Sequence, residues 1–286
     1  MGGGRLLYAL AGSIAALVLP ATAAATDPGP ALAASAAQPK SPSWAAPQIA
    51  SVVLAGVMGP SVVAFRPDDP LTREELHVAI VALGKPHQAP TDPTRIVTMR
   101  ELDAQLVAAA GLLPAARTIR LAARDAGLDP TDMLGTETIA RLLGLRVNHP
   151  QGSEELERSP KQPASRAEAA YSLAKFRLLD AGRIAAIQAL AGRFSVPTLT
   201  ELQRDVLARA LRFVGTPYVF AGMSEQTQKL WSATAPGNAI TVPGGFDCSG
   251  FVWRVYKLEP YPDAPALAAV LRGRTTYAMS GEVPKV

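Results

Sequence analysis

Gly244-Gly245-Phe246-Asp247-Cys248-Ser249-Gly250-Phe251-Val252 holds the only cysteine of a 286-residue chain. The cysteine sits where a glycine turn meets an amphipathic stretch. Phe251, Val252 and Val255 follow it at offsets of three, four and seven, the spacing that shares one helical face with Cys248. Gly244 and Gly245 give a flexible entry, and Asp247 has the chemistry of an N-cap. A helix is therefore expected to start at Cys248, with the thiol in its first turn. Unpaired N–H groups and the helix dipole favour an anion there. A thiolate is such an anion, and it is the nucleophilic form of cysteine. Free cysteines are also among the most buried residues, so from this stretch alone an inert packing role is the alternative.

Upstream lies Phe213-Val214-Gly215-Thr216-Pro217-Tyr218-Val219-Phe220-Ala221-Gly222. Together with Phe246-Asp247-Cys248-Ser249-Gly250-Phe251-Val252 it resembles the NlpC/P60 family of bacterial cell-wall cysteine peptidases. That family opens with a helix, a Gly-x-Pro-Tyr-x-(aromatic)-Gly-Gly turn, and then Asp-Cys-Ser-Gly at the head of the next helix. Two departures stand out: Ala221 replaces the first glycine of the usual pair, and Met223 to Pro243 is a longer insertion than the family carries. The resemblance covers about residues 198–286. It implies a C-terminal α+β papain-like domain over 197–286.

The length allows about two domains. Charged residues make up 18% of the chain and hydrophobic ones 48%, with a formal net charge of +4 and a pI near 9.3. This mild basicity suits a partner bearing carboxylates or phosphates without demanding one. No basic patch interleaved with aromatics points to nucleic acid. Arg5, the apolar run Leu6 to Leu19 and the Ala-rich stretch Pro20 to Ala25 read as a secretory signal over 1–25, too short for a membrane span. No transmembrane anchor is expected to remain after cleavage, and the mature protein is expected to be secreted and wall-associated. A single cysteine in an exported chain forms no internal disulfide, which agrees with a reactive thiol. The Ala/Pro/Ser-rich stretch 26–51 reads as a disordered tether.

Structure is expected to resume at Phe65-Arg66-Pro67-Asp68-Asp69-Pro70-Leu71-Thr72-Arg73-Glu74-Glu75-Leu76. Thr72 and Glu75 have capping-box spacing, and a helix should run from Arg73 with Leu76, Ile80 and Leu83 as its apolar stripe, ending at Gly84. Pro163-Ala164-Ser165-Arg166-Ala167-Glu168 repeats the box and the following arginine. Thr98-Met99-Arg100-Glu101 keeps the box but shifts the arginine by one. Further short helices are expected over 118–127, 136–144 and 178–192, and a domain boundary falls at Phe194 to Pro197. Another capping box, Thr200 to Gln203, opens the next helix. The strings around 72 and 165 resemble the S-layer homology repeat, and the box at 98 is a third candidate unit. Uneven spacing departs from a regular tandem array. The resemblance implies a mainly helical wall-anchoring domain over 52–196 that binds anionic wall polysaccharide. By motif position it gives that role to Arg73 and Arg166, whose planar forks suit carboxylates. The alternative is that both are solvated first-turn residues.

A cysteine peptidase needs a thiolate, a histidine, a group orienting that histidine, and oxyanion donors. Cys248 fits the nucleophile. The family resemblance implies that Tyr218 contacts the reacting centre and that Asp247 and Ser249 bind the free amine of a peptide stem. It also implies that Arg274 lines the cleft. No metal or other cofactor is implied. The family's histidine follows the cysteine, on a later strand. Here all three histidines, His77, His87 and His149, precede it, and of these His149 is the least unsuited as a substitute. The chain thus resembles the front part of such an enzyme, cut before its base and most of its sheet.

The implied function is an exported peptidoglycan hydrolase that cleaves stem-peptide amide bonds through a thioester, between D-glutamate and a diamino acid. The chain as given is expected to be inactive for want of the histidine. The alternatives are a wall-binding protein with an inert papain-like remnant, or an acyltransferase on the same fold.

Overall fold

Three strings far apart in the sequence meet in a closed ring of backbone hydrogen bonds. Leu71 N–H donates to Ala164 O (2.8 Å), Ala164 N–H to Val97 O (2.9 Å), and Val97 N–H to Leu71 O (2.9 Å). Each of these residues immediately precedes a helix N-cap: Thr72 before α2 (Arg73–Ala82), Thr98 before α3 (Met99–Ala109) and Ser165 before α6 (Arg166–Phe176). The first helical N–H groups, which have no partner within their own helix, run round the same ring in the opposite sense. Arg73 N–H reaches Arg95 O, Met99 N–H reaches Gln162 O, and Arg166 N–H reaches Asp69 O. One residue later, Glu74, Arg100 and Ala167 donate to Pro93 O, Pro160 O and Pro67 O. The three helix starts are therefore equivalent in their backbone bonding, although at Ser165 only the Glu168 N–H half of the box forms, and three units close a pseudo-threefold ring. Leu71, Val97 and Ala164 are buried at its centre.

The computed structural model describes residues 42–231, 239–257 and 270–282. The expected leader over 1–25 and residues 26–41 of the expected tether lie outside them. Residues 42–51 do not behave as a tether. Helix α1 (Ala46–Leu54) starts with Pro at N2, where its missing N–H costs nothing, and buries Ile49 and Val52. Trp44, just before it, packs against the same core, so the composition of 26–51 hid the start of the folded part.

Helix α2 runs as its stripe predicts, with Gly84 following it at φ +70°. Helices α4 (Leu113–Asp125) and α5 (Leu134–Leu142) begin earlier than expected, and Gly127 and Gly144 follow their ends at positive φ. The helix expected over 178–192 is α7 (Ala181–Arg193), capped by Asp180. One apolar core joins α1 to α7. It draws on residues from Ala45 to Ala191, about two thirds of the described chain.

Helix α8 (Glu201–Leu211) has the expected capping box at Thr200 and Gln203. It does not stand apart from the helical part: Ala208, Leu211 and Val214 pack with Ala123, Leu128 and Leu134 from the region of α4 and α5. Pro42 onward forms one compact unit that runs across the expected 196/197 boundary. Beyond α8 come β1 (Met223–Ser224), β2 (Gln228–Trp231), β3 (Ala239–Val242), β4 (Gly245–Phe246), α9 (Cys248–Lys257) and α10 (Thr276–Ser280). Strands β1 and β4 pair antiparallel, as do β2 and β3, so the insertion is a hairpin. The chain is mostly helical with a small antiparallel portion. Among the described residues, no single helix is long and apolar enough to cross a membrane.

Candidate cysteine cleft

Asp247 caps α9 as its position predicts, its Oδ1 accepting from the Gly250 N–H and from Ser249 Oγ (3.0 Å). Intrahelical bonding starts with Phe251 N–H on Asp247 O, so the N–H groups of Cys248 and Ser249 have no partner within the helix. These are the donors an oxyanion would use. Cys248 is exposed, with Sγ 3.9 Å from Thr276 Oγ1. The helical face splits by depth. Val255 and Phe251 turn inward, where Phe213, Phe246 and Phe251 pack edge-on at centroid distances of 5.0, 5.9 and 6.3 Å, while Val252 stays at the surface. Such aromatic pairs contribute about 0.5–1.5 kcal/mol each beyond area burial.

The turn before β1 is pressed onto this helix start. Val219 N–H donates to Phe246 O (3.0 Å), Phe246 N–H to Pro217 O (3.1 Å), and Asp247 N–H to Gly222 O (3.0 Å). A Cβ on Gly250 would come within 2.0 Å of Gly222 O, so only glycine admits this approach. Ala221, where the resembled motif has glycine, takes the left-handed conformation at φ 60°.

Tyr218 is thereby brought beside Cys248. Its phenol is pushed up, first by partial burial and then by the charges of Cys248 and Asp247, which repel a phenolate. On the other side, Arg274 Nη1 lies 3.4 Å from Ser249 Oγ, with its guanidinium 5.8 Å from the Trp253 ring centre and its Nε on Met223 Sδ. Glu282 ties the Arg274 segment into a loop by accepting from the N–H groups of Arg272 and Gly273. The five residues Cys248, Tyr218, Asp247, Ser249 and Arg274 thus gather at one helix start. A cavity of about 610 Å³ opens beside Cys248 and Ser249, lined also by Val252, Leu271, Thr276 and Met279, while Tyr218, Asp247 and Arg274 lie outside its lining. Thr276 carried no separate sequence signal, because its position depends on how residues 270–282 fold back.

No histidine lines this cavity. His149 is buried elsewhere, with Nε2 3.2 Å from Glu168 Oε1, its N–H on Glu157 Oε1, and its ring 4.4 Å from Trp44, edge to face. Its substitution for the family's base is overturned by those contacts. His77 and His87 meet at 2.9 Å between their Nδ1 atoms, and His87 Nε2 contacts Gln105 Oε1. Among the described residues no cluster of three or more His, Cys, Asp or Glu could hold a metal.

The two expected wall-binding arginines part company. Arg166 is buried: it donates from Nε to Phe65 O (2.7 Å), pairs through Nη1 with Glu75, and stacks on Phe65. Its Nε and Nη1 are committed inside the fold and its side chain is buried, which corrects the expectation of a polymer ligand. Arg73 is partly exposed and contacts Glu101 Oε1 at 3.1 Å. It borders a groove of about 500 Å³ between α2 and α3. Burial raises Glu101, but the Thr98 N–H and hydroxyl, then Arg73 and Arg95, outweigh it and hold the carboxyl below its usual range.

Compared with family models, curated proteins and solved structures, the chain matches none.

Proposed function

We propose that this chain is an exported bacterial wall protein of the NlpC/P60 type, with Cys248 as the nucleophile toward amide bonds of peptidoglycan stem peptides and a helical S-layer-homology-like anchor. The observation that carries the reading is the gathering of Tyr218, Asp247, Ser249 and Arg274 around an exposed thiol at a helix N-terminus. In this mechanism the sulfur attacks the carbonyl, the helix-start N–H groups receive the oxyanion, and the amine leaves to give a thioester that water hydrolyses. Asp247 and Ser249 bind the free amine of the stem, and Arg274 faces a stem carboxylate. The bond between D-glutamate and the diamino acid is the one the family resemblance favours. For the anchor, the ring of three equivalent helix starts supports a repeat-built module, with Arg73 as its polymer-facing arginine.

The leaving amine needs a proton, and a positioned acid contributes about 10²–10⁴-fold. The commitment of His77, His87 and His149 elsewhere favours a second reading, a wall-binding protein whose cysteine cleft does not turn over. One experiment separates them. Iodoacetamide should label Cys248, and free-amine stem peptides should be cleaved when imidazole is supplied in solution, but not by Cys248→Ala. A thiol that labels while cleavage stays absent with imidazole selects the second reading. An unreactive thiol overturns the first reading and leaves the second.

A further inference from the structure

The geometry points to Arg141, in the helical part, as a positioning residue for the cysteine cleft, acting by clamping the Gly215–Tyr218 turn. This rests on the reading of Cys248 as a nucleophile. Arg141 lies on α5, outside both motif strings. Its Nη2 donates to Gly215 O at 3.2 Å, and its Nε donates to Glu137 Oε1 at 2.9 Å. Glu137 is only 1% exposed. Beneath it, Arg146 Nε lies 3.8 Å from Glu137 Oε1 and 3.6 Å from Asp103 Oδ2, with both partners buried. The guanidinium therefore spans from a fixed buried carboxylate to the turn, in the two-armed geometry that Arg supports and Lys does not.

The turn is held from a second direction as well. Gly215 has φ +88°, and a Cβ there would lie 2.6 Å from Pro160 Cγ and 3.0 Å from Glu137 Cδ. Pro160 is itself a ring residue, since its carbonyl takes the Arg100 N–H. From the clamp to the thiol the path is short. Gly215 leads through Thr216 and Pro217 to Tyr218, the turn bonds Phe246 on both sides, and Cys248 follows two residues later. The helical part is thus a wall of the cleft's scaffold, and its rigidity fixes where Tyr218 stands relative to Cys248.

The test uses the full chain with Arg141→Met and Arg141→Lys. Two quantities are read without any substrate: the rate and pH profile of Cys248 alkylation, and the phenol titration of Tyr218, isolated by difference against Tyr218→Phe partners. In Arg141→Met the alkylation rate should change by about two- to thirtyfold, the range of coupling through a packed network. Tyr218 should titrate closer to an ordinary tyrosine, because it moves away from Cys248 and Asp247. Arg141→Lys should fall between Arg141→Met and the parent, and it serves as the readout should the Met variant not fold. A variant that unfolds in less urea yet keeps the parental alkylation profile and Tyr218 titration would overturn the proposal. Failed stem-peptide cleavage by the parent sinks the hydrolase reading alone, because neither readout needs turnover.

Discussion

Arg166 at the first position of α6 pairs with Glu75 at the third position of α2, across the ring between the third unit and the first. Arg73, at the same position of α2, pairs with Glu101 at the third position of α3. The cycle predicts an arginine at 99 facing Glu168, but Met99 stands there and is buried, and His149 takes Glu168 instead. Two joints of the ring thus carry an arginine and the third a histidine.

Arg166→Ala should cost about 1–3 kcal/mol of unfolding free energy, because it empties a buried guanidinium site and leaves Phe65 O without its donor, while Glu75 keeps its bonds from Thr72. Arg73→Ala should cost no more than about 1 kcal/mol, its pair being partly exposed. Urea denaturation of the two single variants measures the difference. Equal costs would mean that burial does not distinguish the joints.

On the wall-anchoring proposal, the full chain should pellet with purified cell walls. Arg73→Ala should weaken this, and pelleting should fall as salt rises, since exposed charge pairs are screened. Unchanged pelleting by Arg73→Ala would leave that arginine as a ring contact only.

Ala221→Gly should stabilise the chain by up to about 1 kcal/mol, since a non-glycine residue in the left-handed region costs about 1–2 kcal/mol and glycine returns part of that in unfolded-chain entropy. Gly222→Ala should do the reverse, its Cβ meeting Gly245 O at 2.5 Å. Thermal melts of both variants decide it, and a lower melting temperature for Ala221→Gly would show that the turn is not strained.

Asp103 is pushed well above its ordinary range, first by burial and then by Glu137, against the pull of Arg146. A carboxyl whose folded pKa is raised adds stability below its unfolded pKa, near 3.9, and loses it as pH rises through the folded value. Asp103→Asn does not titrate, so its stability relative to the parent should climb from pH 4 upward. Urea midpoints at a series of pH values give that gap, and a constant gap would show that Asp103 titrates as it does in the unfolded chain. Glu101 has the opposite sign. Held low, it stabilises above the unfolded carboxylate range and stops doing so as the solution is acidified through its folded pKa.

The local signals were legible. Thr72, Thr200 and Asp247 cap where their spacing says, because a capping box involves only neighbours in sequence. The equivalence of the Thr98 box was blurred by Met99 and by uneven spacing, and only the ring bonds show it. Arg166 has the right fork for an external carboxylate, but Glu75 supplies one internally, and residue type cannot tell the two apart. Helix α1 was lost in alanine-rich composition, although Pro47, Ile49 and Val52 carried its signature. In the cleft, the cysteine motif and Tyr218 were readable, whereas Arg141 was not, since its bond to Gly215 bridges 74 positions.

The ring also dictates an order of events as the chain is made. Leu71 cannot hand its N–H to Ala164 until 93 further residues have emerged (164 − 71), about 5–20 s at ordinary synthesis rates. Until then the first two units have only one of the three closing bonds, Val97 to Leu71. A chain stopped before residue 160 should accordingly be cleaved by protease more readily than the full chain, and deleting one unit should open the ring outright instead of shortening it.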